Sequence, residues 1–185
     1  MALLDRLKGI LFDPRDEWPK IAAEPATTQS IYTNWVMILA AIGPLAILAA
    51  AGETRVQTAV GLYVMALIVT FILALIVDAL APTFGGAKDF VGALKLAAYS
   101  YTAAWIAGVF HVLGIAGAVL ALLATIYSWY TFYVGAPVMN KCAADKAVPF
   151  TIVVVLCGFA LGLLFSIALS GLGIIPKVNG MPIVR

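Results

Sequence analysis

The sequence predicts an all-α polytopic membrane protein, a bundle of five transmembrane helices preceded by an N-terminal amphipathic interfacial helix. Three observations carry that expectation. Of 185 residues, 64% are hydrophobic and only 11% charged, whereas soluble domains carry about 25% charged residues. The apolar residues fall into five long runs, each near the roughly 20 residues a helix needs to cross a hydrocarbon core about 30 Å thick. Lys and Arg then gather on one side of the implied topology.

The first domain is a cytoplasmic segment over 1–30. Leu3, Leu4, Leu7, Ile10 and Leu11 share one helical face, with Asp5, Arg6 and Lys8 elsewhere; such a helix is too short to span and suits the headgroup interface. Docking on a partner or on the bundle's own cytoplasmic end is the alternative. Pro14, Pro19 and Pro25 then discourage helix, so an irregular or briefly helical surface segment is expected, anchored by Trp18 and Ile21. Charge runs throughout Met1 to Glu24 with no uninterrupted apolar stretch, so no cleavable signal is expected and the first span directs insertion.

The membrane domain is assigned to 31–173, with spans at about 31–51, 59–81, 90–109, 115–134 and 150–172, and a short outward tail over 174–185. Gly43 and Pro44 should kink the first span. Pro82, Gly85 and Gly86 break the chain after the second and are candidate hinges. Lys95, Tyr99, Ser100, Tyr101 and Thr102 make the third span the least apolar, so it should face protein. The fourth closes in aromatics, and Trp18, Trp35 and Trp129 are read as interfacial anchors. With the N-terminus inside, that side collects Arg6, Lys8, Arg15, Lys20, Lys88, Lys95, Lys141 and Lys146, against Arg55, Lys177 and Arg185 outside. The C-terminus is then outside.

The net charge of +2 is too small and scattered for a nucleic-acid partner. Cys142 and Cys157 have neither metal-ligand spacing nor a disulfide framework. No metal or cofactor site is expected, and no nucleophile, base and orienter set marks an enzyme.

Several stretches have a family likeness: LFDPRDEWPKIAAEP before the first span, the Gly85-Gly86 break followed by KLAAYSYTAAW, and IYSWYTFYVGAPVM closing the fourth span. Together they resemble bacterial members of the Yip family, five-span proteins named for the Ypt/Rab-interacting proteins of eukaryotes. The resemblance covers nearly the whole chain and implies a five-span bundle with a cytoplasmic N-terminus, placed in the bacterial inner membrane with a periplasmic C-terminus. Where that pattern has a proline soon after the AYS element, this chain has Ala103 and Ala104, which removes the sequence reason for a kink. Eukaryotic members are linked to vesicle trafficking through small GTPases, a pathway bacteria lack, so the resemblance carries fold rather than function.

Two constellations remain. Asp78 is the only acidic residue inside an apolar run, and a charge at the bilayer centre costs about 2.5–3.5 kcal/mol on insertion scales. Lys95 lies at matching depth across the break, and Lys95, Tyr99 and Thr102 fall on one stripe. These four form a candidate intramembrane polar site, read either as an ion or proton site or gate or, the favoured reading, as charges that simply reach the interface, Lys95 by snorkelling, or form a structural pair that fixes helix register. In the fifth span Gly158, Gly162, Ser166 and Ser170 recur every fourth residue and predict a tight helix contact, within the monomer or at a homo-oligomer seam. The leading functional expectation is a non-enzymatic protein in contact with membrane lipid that organises its surroundings or recruits a cytoplasmic protein partner through the N-terminal segment and cytoplasmic loops. The alternative is a small ion or solute transporter or channel working around Asp78, Lys95 and Tyr99.

Overall fold

The computed structural model describes residues 3–49 and 55–175, so most of the expected tail and part of the first outward loop lie outside the described residues. Among the described residues every regular element is helical. The chain begins with two ten-residue helices, α1 (Leu3–Phe12) and α2 (Pro14–Ala23). The prolines do not keep this stretch irregular. Pro14 stands at the first turn of α2, where its missing N–H would have no partner anyway, and the Asp13 carboxylate accepts from Asp16 N at 3.4 Å. Pro19 sits inside α2 on an exposed face.

A capping box between Thr27 and Ser30 starts the first membrane segment. It runs as α3 (Thr28–Ile31), one π turn over Tyr32–Val36, α4 (Met37–Ala40) and α5 (Ile42–Ala49). Its interruption falls at Ala41, just ahead of the expected Gly43-Pro44 kink, because Pro44 offers no N–H to the preceding turn and its ring crowds that turn's carbonyl. The chain returns through α6 (Arg55–Leu80) and a 3-10 turn, Ala81–Phe84.

The third segment is α7 (Phe90–Ser100), α8 (Thr102–Ala107) and a 3-10 stretch, Gly108–Leu113. It lies alongside the first in the same direction: Trp35 Nε1 donates to Thr102 Oγ1 at 3.2 Å, and further along Gly43 packs on Gly108. Despite Ala103 and Ala104 the helix breaks, at Tyr101. The freed N–H of Ala104 bonds Ser128 Oγ of the neighbouring helix at 3.3 Å, which is how backbone groups released at membrane depth are satisfied. Then come α9 (Gly114–Met139), a short 3-10 turn and α10 (Ala147–Gly171). The last helix runs back along α6, from Phe84 and Phe150 (ring centroids 5.2 Å apart) to Thr58, whose hydroxyl donates to Ile174 O at 2.9 Å.

Four helical stretches are long and apolar enough to cross a membrane: Thr28–Ala49, Val56–Phe84, Gly114–Met139 and Ala144–Gly171. The segment expected at 90–109 is not among them. It is instead the most enclosed part of the bundle, with Gly92 through Ala98 all buried.

Candidate functional site

The structured core of the molecule is the seam where α1 and α2 enter the bundle. Trp18 is fully buried there with Ile10 and Ile21. Its indole N–H donates to Thr131 O at 3.0 Å, and the ring occupies the space left by Gly135, where a Cβ would overlap both Trp18 and Leu96. Trp18 is therefore a plug in the protein interior and not an anchor in the headgroup layer. Trp35 is buried too, while Trp129 is half-buried against Phe159. Tyr99 stands between the two buried indoles, edge-on to Trp18 at 6.5 Å and 4.6 Å from Trp35.

A helix end leaves its last carbonyls without intrahelical partners, and the bundle supplies donors to both N-terminal helices. The Tyr127 hydroxyl lies 2.9 Å from Leu11 O and 3.3 Å from Ile10 O, at the end of α1. Lys95 Nζ donates to Ile21 O at 2.7 Å and Glu24 O at 2.5 Å, at the end of α2. Lys95 is 6% exposed. A cation at a helix C-terminus is also favoured by the helix dipole, so one buried ammonium holds α2 in place from another helix.

Charge continues into the seam. Arg6 is 4% exposed; its Nη1 lies 2.6 Å from Glu17 Oε1, its Nη2 pairs with Glu24, and Lys20 Nζ reaches Glu17 Oε2 at 3.1 Å. Gly9 leaves room for the Glu17 carboxylate, which a Cβ there would strike. A polar cavity of about 330 Å³ opens beside this network, lined among others by Arg6, Glu24, Ser30, Asn34, Lys95 and Tyr99.

The structure thus gathers three of the four residues of the expected polar site. Lys95, Tyr99 and Thr102 all face the N-terminal helices and the start of the first membrane segment. Asp78 does not join them, and the Asp78–Lys95 pair is replaced by the α2 carbonyls. Among the described residues Asp78 Oδ1 is buried without a hydrogen-bond partner, and Asp78 makes no ion pair with them. Matching depth did not bring the two together, because depth along a helix leaves the direction around it open.

Two further expectations meet specific contacts. The Gly85-Gly86 break, expected as a candidate hinge, is tied by backbone hydrogen bonds to the loop after α9. Gly85 takes the left-handed conformation, φ 77, which glycine adopts at no steric cost. Ala87 N donates to Asn140 O at 3.0 Å and Ala143 N to Phe84 O at 3.3 Å, and a Cβ on Gly86 would strike the Asn140 carbonyl. The ribbon of Gly158, Gly162, Ser166 and Ser170 is close to a neighbour at Gly158 and open at Gly162. Gly158 approaches the Tyr101 hydroxyl, but an added Cβ on Gly162 would meet nothing within 4 Å, since Gly158, Gly162 and Ser166 border a gap of about 380 Å³.

Sequence reasoning missed Arg6, Glu17, Glu24, Tyr127, Thr131 and Gly135. For Arg6 a signal existed: with Leu3, Leu7 and Ile10 it sits at helical spacing on one stripe, a charge on the apolar face. The partners Tyr127, Thr131 and Gly135 lie more than a hundred residues away, and no local pattern points to them.

Apolar spans around an ordered polar seam define an integral membrane helix bundle. The chain belongs to the Yip1 domain family, whose model matches residues 8–173. Neither the curated proteins nor the solved structures give a match.

Proposed function

We propose that this protein is a non-enzymatic, five-span member of the family, resident in a bacterial inner membrane, that recruits a cytoplasmic partner or organises its surroundings through its N-terminal helices. Support for a fifth crossing comes from the 90–113 segment, which runs beside the first membrane segment from Trp35 and Thr102 to Gly43 and Gly108. The charge asymmetry of the loops orients the bundle with α1 and α2 inside the cell. Single cysteines placed at Lys88 and Lys141 should then react with an impermeant thiol reagent only after the inner face is opened; reaction in intact cells would reverse the topology.

The observation that carries the recruiting role is the outward face of α1. The helix pair is held rigidly from behind by Trp18, Lys95 and Tyr127, yet it presents Leu4, Asp5, Lys8 and Phe12, with Phe12 84% exposed. A large apolar side chain held out on a charged helix is a contact element. Removing α1 and α2 altogether would not test this, because it would also remove buried core. Leu4→Ser with Phe12→Ser leaves the seam intact. Chemical crosslinking in native membranes should trap a specific partner on the unaltered protein and lose it on the double variant. Identical crosslinked species from both would sink the recruiting role.

A further inference from the structure

We propose that the polar cavity between α1, the end of α2, the start of the first membrane segment and α7 binds the phosphate of an anionic membrane phospholipid, with Arg6 and Lys95 as its cationic ligands. The inference depends on the chain's embedding in a membrane and is independent of the recruiting role above.

The cavity holds about 330 Å³, an order of magnitude more than a water's share of about 30 Å³. Its two cations are both more than nine-tenths buried, and a buried charge needs a partner of opposite sign or a full set of hydrogen bonds. Glu17 and Glu24 both pair with Arg6, and the half-exposed Lys20 joins Glu17 from the solvent side. Asp89, at the start of α7, is exposed and accepts from Gly92 N at 3.0 Å. Lys95 makes no ion pair among the described residues; its two bonds both go to neutral carbonyls, so one ammonium hydrogen remains for a further acceptor. Arg6 Nη2 is engaged by Glu24, so Arg6 contributes its positive charge at the cavity wall and not a free donor.

The remaining lining suits an oxyanion attached to a lipid. Tyr99 and Asn34 add a hydroxyl and an amide donor, while Leu3, Ile31 and Trp35 form an apolar flank; the Ser30 hydroxyl is committed to Thr27 O at 2.9 Å. The mouth is bordered by Glu24 and Asn34, both exposed, beside the first turns of the Thr28–Ala49 segment, where headgroups lie. Charge-assisted bonds from Arg and Lys are strong donors to phosphate, and basic pockets between membrane helices on the cytoplasmic side are where acidic headgroups lodge. Glu24 at the mouth also gives a reason for selectivity, since it disfavours multiply charged anions.

The test uses the full chain in phosphatidylcholine nanodiscs with increasing phosphatidylglycerol, read by melting temperature and by native mass spectrometry of retained lipid. One phosphatidylglycerol should be retained per chain, with a rise in melting temperature that saturates. Lys95→Gln keeps an amide donor for the α2 carbonyls while removing the charge. Asn34→Asp places a carboxylate on the exposed rim without touching the core. Each should weaken phosphatidylglycerol retention ~10-fold, about 1.4 kcal/mol, with no change toward phosphatidylcholine. If Lys95→Gln loosens the fold, Asn34→Asp decides alone. Equal retention of the two lipids by the unaltered protein, or unchanged phosphatidylglycerol retention in Asn34→Asp, overturns the site. Inorganic phosphate that saturates the melting shift at the same concentration as phosphatidylglycerol overturns the lipid as its source.

Discussion

Helices α7 and α10 occupy opposite positions for a reason that inverts the rule of soluble proteins. α10 is apolar almost throughout, yet it buries only Ala147, Phe150, Thr151 and Val154, all near its start. α7 carries Lys95, Tyr99 and Ser100, and it is enclosed from Gly92 to Ala98. In water the more apolar helix would be inside. In lipid a leucine gains little by leaving the acyl chains, so the groups that need partners are the ones driven inward. The comparison locates the specific packing of this molecule in the polar seam and leaves α10 as its lipid-facing wall.

The largest effect that could break this contrast belongs to Trp18. Trp18→Ala should cost about 3–5 kcal/mol, seen as a lower melting temperature in detergent and as new protease cleavage between α1 and α3. Phe159→Ala on α10, where the ring is mostly exposed, should stay within about 0.5 kcal/mol. Comparable losses at both positions would contradict the division between seam and wall. Next, Gly135→Ala forces a methyl into the Trp18 ring and should cost about 1–3 kcal/mol, as overpacked cores do. If the variant melts with the unaltered protein, α2 is not seated as described.

A smaller effect is expected in the inner loop. Cys142 is buried, and burial pushes its thiol above the ordinary range, since the charged thiolate is disfavoured away from water. The folded value is raised, so its contribution to stability is complete below the ordinary thiol range near pH 8.5 and declines as pH rises through the folded value. A maleimide at pH 7 should leave Cys142 unmodified until the bundle is unfolded; rapid labelling of the native protein would mean the loop is open. The smallest change is predicted for Gly162→Ala, within about 0.5 kcal/mol, because the added methyl meets no atom of this chain. A loss of oligomer in crosslinking without a loss of stability would instead assign the ribbon to a contact between copies.

Much of this architecture could be read in advance from particular residues. Uninterrupted apolar runs marked the membrane segments, and the spacing of Lys95, Tyr99 and Thr102 correctly put all three on one protein-facing stripe. What lay on the other side of that stripe was not legible. Two lysine bonds to the backbone of α2 leave no trace in side-chain identity, because every residue has a carbonyl. The prolines around Trp18 suggested an irregular or only briefly helical surface segment, although Pro14 sits where a proline starts a helix. Asp78 drew attention as an isolated charge, but its direction around α6 depends on packing that hydropathy does not encode.

The tie between Phe84–Ala87 and Asn140–Ala143 has a consequence for how the protein is made. Its two halves leave the ribosome more than fifty residues apart, with α7, α8 and α9 between them. Until Asn140 emerges, Ala87 N–H has no carbonyl to meet, and until α9 is in place Gly135 and Thr131 cannot receive Trp18. Trp18 must therefore wait for partners more than a hundred positions later in the chain. The nascent chain should pass through a stage in which the N-terminal helices are complete but undocked, available to the insertion machinery and to chaperones before the bundle closes over them.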